Sequence, residues 1–156
     1  MAGLIPQRGD DAAMLRGQYV AEATALDDRD DLDFCDLPLL PYVDAWRTLR
    51  REAGLDRFDG IEEQVFNADL GYAGRLDRRG TRGGEPFVLD IKTGTPARWH
   101  GLQLAAYAGC FPESWRYRRL GAYLNVDGSG RLREYVDHND WIVFSAALTL
   151  SNWKGE

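Results

Sequence analysis

The pattern of hydrophobic and polar residues divides the chain into nine segments with helical or strand periodicity. Apolar positions at helical spacing predict two N-terminal helices, a third in the middle and a fourth near the end. Shorter apolar and β-branched runs, bounded by glycine-containing turns, predict five strands. The predicted segments are helices 12–25 and 39–53, strands 62–67, 71–78 and 87–92, helix 99–110, strands 120–126 and 131–136, and helix 140–150.

This order, ααβββαββα, predicts an α/β or α+β fold in which helices flank a mixed central β-sheet. The run Asp127–Gly130 is a strong hairpin signal between the last two strands. The acidic segment 27–36 is predicted to be an exposed loop, since it lacks the glycine and final glutamate of a calcium-binding loop. A chain of 156 residues is long enough for one domain with its own core.

Composition narrows the range of protein classes. No apolar run approaches the roughly 18 residues of a membrane span, and the N-terminal residues do not resemble a signal peptide, so we expect no membrane association. Cys35 and Cys110 are isolated, which predicts two buried, reduced thiols and argues against a zinc or iron–sulfur site. These features predict a cytoplasmic protein.

The net charge of −6 is unevenly distributed along the chain. Residues 1–70 carry 7 basic and 16 acidic side chains, whereas residues 71–156 carry 12 basic and 9 acidic ones. Because the local field decides which ligands approach a site, the acidic total does not exclude a nucleic-acid partner.

Two charged residues, Asp90 and Lys92, interrupt the apolar run FVLDIK. Burying unpaired charge is costly, so they form either a structural ion pair or part of a catalytic site. Asp77 ends the preceding strand, and a hairpin between the two strands would bring both carboxylates to one edge. Lys92, two residues after Asp90, points to the same face. Carboxylate oxygens are the ligands that Mg²⁺ and Mn²⁺ prefer, which favours a metal-assisted site.

The motifs GYAGRLD, VLDIKTG and LQLAAYA, in this order, resemble the PD-(D/E)XK nuclease superfamily, with Asp in the D/E place. Within it they are similar to the RecB-like branch, which includes phage-type recombination exonucleases. The resemblance covers residues 62–108 closely and the flanks loosely. It implies a restriction-endonuclease-like core over 59–136, preceded by a helical part, 1–58, and followed by a C-terminal helix, 137–156, within one domain of residues 1–156.

The resemblance also implies roles for individual residues. Asp77, Asp90 and the backbone carbonyl of Ile91 would bind Mg²⁺ or Mn²⁺, and Lys92 would be the catalytic lysine. Gln103 and Tyr107, four apart on one helix face, would point at the site or the DNA backbone. An upstream acid would support the metal; Glu62 and Glu63 compete for this role, with Glu62 slightly favoured.

The implied function is a metal-dependent DNA exonuclease of recombination or repair. The alternatives are a weakened or inactive DNA-binding module with the nuclease fold, and an endonuclease or resolvase. The expected partner is linear double-stranded DNA or its ends, with a homo-oligomer or an annealing protein as further partners. The residues expected to contact DNA are Arg75, Arg78, Arg79, Arg98 and Trp99, with Trp115 as a second candidate for stacking. Trp46, Trp141 and Trp153 are assigned to packing.

One departure from the family pattern lies in the first helix. RecB-like nucleases carry a metal-binding histidine there, and the corresponding residue in RGQYVAEATAL is Ala21. Three explanations stay open: a natural variant completed by Glu22 or Glu62, an engineered substitution, or a different alignment of this helix. His100 is expected to be exposed at a helix start, and His138 to be a surface or capping residue.

Overall fold

The computed structural model describes residues 8–153, with side chains from residue 11 onward, and the predicted order of elements is confirmed. Residues 1–7 and 154–156, the outer ends of the two predicted flanking parts, lie outside the described residues. Short 3-10 helices occupy Leu37–Leu39 and Ser114–Arg116. The main elements are α1 (Arg8–Asp28), α2 (Leu40–Glu52), β1 (Phe58–Asn67), β2 (Tyr72–Arg82), β3 (Glu85–Lys92), α3 (Arg98–Ala108), β4 (Arg118–Leu124), β5 (Gly130–Glu134) and α4 (Asn139–Asn152).

The five strands form one mixed sheet in the order β1-β2-β3-β4-β5. Neighbouring strands are antiparallel except β3 and β4, which are parallel and joined by the crossover helix α3. The fold is therefore α+β with four helices on a mixed sheet. The turn between β2 and β3 is Gly83–Gly84, both with positive φ (58° and 83°), which a two-residue hairpin turn requires.

Helices cover both faces of the central strands. One core cluster packs Phe87, Leu89 and Ile91 of β3 against α1 and α2, whereas Val88 belongs to a second cluster under α3. This alternation explains why β3 is apolar at nearly every position before Asp90. By the same alternation, the side chains of Asp90 and Lys92 lie on the α3 face.

The boundaries of several elements differ from the prediction. β2 continues to Arg82, three residues past the predicted turn start, because residues 78–82 pair with β3 up to the Gly83–Gly84 turn. The acidic segment is not wholly an exposed loop. Asp28 lies in α1 with a fully buried side chain, which accepts hydrogen bonds from Trp46 Nε1 (3.0 Å) and Arg78 Nε (2.6 Å).

The tryptophan and cysteine expectations are met in part. Trp46 is fully buried, as predicted for a packing residue. Trp153 is 74% exposed, so its assignment to packing is wrong, and Trp141 is 36% exposed. Cys35 and Cys110 are free thiols but only half-buried, so the expectation of full burial is also wrong. None of the helices in residues 8–153 combines the length and the apolar character needed to cross a membrane.

Candidate active site

The predicted acids lie in a row across three neighbouring strands. The pairing of β2 with β3 begins at Arg78 and Leu89, and extending this register by one pair puts Asp77 opposite Asp90. The pairs Ile61–Arg78 and Glu63–Leu76 of β1 and β2 likewise put Glu62 opposite Asp77. Paired residues of adjacent strands share a position along the sheet, so the three acids lie side by side although each belongs to a different strand. The sheet therefore brings together three residues that are distant in the sequence.

The environment of Asp77 disfavours its ionised form. Burial of its carboxylate and the nearby negative charge of Asp90 raise its pKa from 3.8 to about 8. The N–H of Ile91 donates a hydrogen bond to Asp77 Oδ2 at 2.6 Å, which acts in the opposite direction without cancelling the increase. A positive ion at this place would remove the repulsion, since an opposite charge favours the ionised carboxylate.

Lys92 is the cation that contacts Asp90. Its Nζ lies 2.5 Å from Asp90 Oδ2, yet that buried oxygen accepts no hydrogen bond, so the contact is an ion pair without hydrogen-bond alignment. Nζ donates instead to Gln103 Oε1 at 3.0 Å, and Gln103 Nε2 donates to the hydroxyl of Tyr107 at 3.0 Å. Lys92, Gln103 and Tyr107 therefore form one hydrogen-bonded relay, and the ion pair of Lys92 connects this relay to Asp90.

Tyr107 reaches this relay because Gly74 has no side chain. A Cβ at position 74 would lie 2.9 Å from Tyr107 Cε1, closer than side-chain contacts allow. Tyr107 is half-buried, and burial followed by the charge of Asp90 raises the pKa of its hydroxyl. Gly74 of GYAGRLD and Tyr107 of LQLAAYA belong to separate motifs in the sequence, but in the fold they pack against each other. The sequence alone predicts no role for Gly74.

The two candidate upstream acids have different environments. Glu63 forms an ion pair with Arg79, with Nε 2.8 Å from Oε2. Glu62 has a left-handed backbone (φ 51°), which costs a non-glycine residue about 1–2 kcal/mol. Its buried Oε1 has no hydrogen-bond partner, and Arg75 Nε lies 3.2 Å from Oε2. Arg78 Nη1 lies 3.6 Å from Glu62 Oε1, so both glutamates have basic neighbours, and Glu62 differs in its position opposite Asp77.

The residues present suit a hard divalent cation. Within the part of the chain that the structure describes, no three His, Cys, Asp or Glu side chains form a metal-binding group. The set implied by the resemblance does not require one, since it consists of two carboxylates and the Ile91 carbonyl. Asp90 offers an oxygen without a hydrogen-bond donor, and Asp77 is ionised only at a cost. Oxygen donors with surplus negative charge fit Mg²⁺ or Mn²⁺.

The five residues expected to contact DNA do not share one environment. The side chains of Arg75 and Arg98 are 65% and 85% exposed, and Trp99 is 56% exposed. Arg79 is half-buried, paired with Glu63. Arg78 is fully buried between the rings of Trp46 and Phe58 and bonded to Asp28, so its predicted contact with DNA is wrong. A side chain with no exposed surface cannot reach a phosphate.

The two histidines have different environments. His100 is only 6% exposed, which contradicts the expectation of an exposed residue. Its Nδ1 accepts a hydrogen bond from the N–H of Ala97 (3.2 Å) and lies 2.7 Å from the Tyr123 hydroxyl; burial lowers its pKa. His138 is exposed just before α4 and makes no side-chain cap, so only the surface alternative holds.

Ala21 lies in the middle of α1 and is half-buried. It shares a helix face with Gly17, one turn earlier. A Cβ on Gly17 would lie 3.7 Å from Thr93 Oγ1, and Thr93 follows Lys92 directly. Position 21 is therefore on the helix face that approaches the end of β3, where the resemblance expects a histidine.

No protein-family model matches this chain, and no curated protein matches it either. The resemblance to the nuclease superfamily accordingly depends on the motif residues themselves.

Proposed function

We propose that this protein is a metal-dependent DNA nuclease with a restriction-endonuclease-like core, of the RecB-like PD-(D/E)XK type. Its activity would be hydrolysis of phosphodiester bonds, most simply as an exonuclease in recombination or repair. One observation carries the proposal: residues from two separate motifs meet in the relay Asp90–Lys92–Gln103–Tyr107, beside Asp77 from a third motif. Chance DxK triplets have no reason to be accompanied by such a relay.

The charge balance argues against a purely structural role for Asp90 and Lys92. A structural pair would be neutral, but here two carboxylates converge with one ammonium, and Glu62 lies opposite Asp77. The guanidinium nearest in sequence, Arg78, is bonded to Asp28 through its Nε. Proteins tolerate buried charge surplus chiefly where it has a function, because it reduces stability.

Each residue then has a distinct task. Asp77, Asp90 and the Ile91 carbonyl would hold Mg²⁺ or Mn²⁺, which supplies Lewis-acid stabilisation of charge on the phosphate oxygens. Lys92 orients the attacking water and stabilises charge that develops on the phosphoryl group. Gln103 fixes the ammonium through its Oε1, and Tyr107 fixes the amide of Gln103. Arg75 and Arg98 are exposed and suited to contact backbone phosphates without sequence preference.

A second candidate is a DNA-binding module that retained the fold without the activity. Ala21 favours it, since a metal site with one ligand fewer holds its ion more weakly. A nuclease with the same chemistry that cuts internally is a third. The exonuclease cleaves phosphodiester bonds, whereas the DNA-binding module does not. An endonuclease also cleaves them, but it yields different products because it cuts within the strand.

The test is degradation of end-labelled linear duplex DNA and of closed circular DNA with Mg²⁺ or Mn²⁺. The wild-type chain is compared with Lys92→Ala and with Arg118→Ala, whose partner is Glu134 in an exposed ion pair. We expect mononucleotides or short fragments from linear DNA, full activity for Arg118→Ala and none for Lys92→Ala. Binding without cleavage by every variant, with both metals, would favour the binding module. Cutting of the circle would favour an endonuclease.

A further inference from the structure

Trp99 is the large aromatic residue beside the proposed catalytic lysine. It is the second residue of α3, its ring centroid lies 5.3 Å from Lys92 Nζ, and its surface is 56% exposed. Arg98, the preceding residue, is 85% exposed in its side chain. An indole that is 56% exposed leaves more than half of its surface open to a ligand, directly beside the reacting groups.

The indole is supported although it is exposed. His100 meets it edge-on, with ring centroids 4.2 Å apart and an interplanar angle of 72°. His100 itself is buried and fixed by its bonds to Ala97 and Tyr123. The ammonium of Lys92 lies over the ring, a favourable cation–π arrangement. A ring held in this way loses little conformational entropy when a flat ligand stacks on it.

We propose that Trp99 stacks on an unpaired nucleobase next to the phosphate that Lys92 serves, so that the substrate is a single strand or a frayed end. This inference rests on the proposed nuclease function. Both faces of a base inside a duplex are covered by its neighbours, so an indole cannot stack on it until it is exposed. An indole can stack on any base, because every base has a π-face. Like the proposed phosphate contacts of Arg75 and Arg98, such stacking has no sequence preference.

Trp115, the second residue predicted from the sequence to stack on DNA, lies at the opposite end of the parallel strands from Lys92 and therefore provides a matched control. It is 80% exposed, but it lies in the 3-10 helix before β4, near the start of the parallel strands, whereas Asp90 and Lys92 are at the end of β3. It lines a groove of about 710 Å³ together with Tyr117 and Trp141. Trp99→Ala and Trp115→Ala therefore each remove one exposed tryptophan, but only Trp99 lies beside Lys92.

The experiment measures binding separately from cleavage. Fluorescence anisotropy of a labelled (dT)12 strand, and of a covalently closed circular duplex without unpaired bases, is recorded in EDTA with wild type, Trp99→Ala, Trp99→Phe and Trp115→Ala. We expect Trp99→Ala to weaken binding of the strand by about 5- to 150-fold, the range of one lost stack. Trp99→Phe should recover most of it, and Trp115→Ala and the closed duplex should show little change.

Two results would overturn the inference: equal strand binding by wild type and Trp99→Ala, or equal weakening by Trp99→Ala and Trp115→Ala. Cleavage by wild type and not by Lys92→Ala would then leave the nuclease proposal intact. Conversely, a selective effect of Trp99→Ala on strand binding without any cleavage would support the stacking site and count against the nuclease activity. Thermal unfolding of each variant shows that it is folded.

Discussion

The N–H of Ile91 donates a hydrogen bond to Oδ2 of Asp77 at 2.6 Å, and this bond joins the two strands that carry the proposed metal ligands. The bond fixes one carboxylate oxygen, and the other is left to bind a cation. The position of Asp77 is therefore set by the sheet and not by a flexible side chain.

The raised pKa of Asp77 predicts how stability depends on pH in metal-free protein. The folded-state pKa is about 8 and the ordinary value is 3.8, so the folded state binds more protons than the unfolded state between these values. The free energy of unfolding should then fall as the pH rises from about 4 to 8. Asp77→Asn should remove much of this slope and raise stability at pH 8 by at least about 1 kcal/mol, or roughly 2–4 °C in Tm.

Thermal unfolding in EDTA at several pH values measures this. Mn²⁺ should raise the Tm of the wild type more at pH 8 than at pH 6, and should not raise that of Asp77→Asn comparably. An equal pH slope for the two proteins would contradict the assignment.

The relay predicts graded losses of activity. Gln103→Ala removes an acceptor from a charged donor, worth about 1.5–3 kcal/mol, and should lower kcat about 10- to 150-fold. Tyr107→Phe removes a neutral hydrogen bond one step further away and should lower kcat about 2- to 10-fold. KM should change little in both, since in the relay both residues act through Lys92. Tyr72→Phe is the control, because its hydroxyl bonds the carbonyl of Ala106 on the same helix outside the relay; kinetics in which it matches Tyr107→Phe would refute the relay.

Gly74→Ala should displace the ring of Tyr107. A Cβ 2.9 Å from Cε1 overpacks the contact, which typically costs about 1–3 kcal/mol in the free energy of unfolding. Gly94→Ala is the control, since a Cβ at position 94 meets no heavy atom within 4 Å. In the background of Tyr107→Ala the cost of Gly74→Ala should nearly vanish, and urea unfolding of the four-member cycle measures this coupling. Additive effects would mean that the two residues do not constrain each other.

Comparing Glu62 with Glu63 tests the energetic cost of the left-handed backbone at Glu62. Glu62→Gly removes the left-handed penalty, so it should change stability by no more than about 1 kcal/mol in either direction. Glu63→Gly removes the ion pair with Arg79 from ordinary extended backbone and should destabilise the protein more. Cleavage should fall in Glu62→Gly and Glu62→Gln but hold in Glu63→Gly. Greater destabilisation by Glu62→Gly than by Glu63→Gly would show that the left-handed conformation carries no penalty.

Ala21→His should strengthen the metal site. We expect the Mn²⁺ concentration for half-maximal cleavage to fall about 10-fold, since imidazole is a good ligand for transition metals. Glu22→His is the control, because the next residue in a helix points about a quarter-turn away. Isothermal titration with Mn²⁺ gives the same comparison without turnover. If position 21 and position 22 respond alike, the alignment of α1 with the family pattern is wrong.

The sequence predicts the parts of this fold that depend on local physics. Period-two alternation and glycine turns located the five strands, and the offset of two residues put Asp90 and Lys92 on one face. The parts that it did not predict depend on distant contacts. Arg78 and Asp28 are 50 residues apart, and nothing near Arg78 in the sequence shows that its charge is buried and paired.

The backbone conformation of Glu62 and the burial of His100 also depend on residues that are distant in the sequence. Glutamate does not favour positive φ, so its conformation reflects the strands around it. His100 is buried because Tyr123 arrives from β4 to bond it, and helix-start patterns contain no information about that strand. In both cases tertiary packing overrides the local preference.

The Gly83–Gly84 turn has a practical consequence. A Cβ at either position would meet no heavy atom within 4 Å, and the turn begins six residues beyond Asp77 along β2, about 20 Å at strand spacing. A peptide loop inserted there would leave the acid row untouched. The protein could thus be tethered to a bead or a sensor surface through this hairpin, with its reactive edge turned toward the solution.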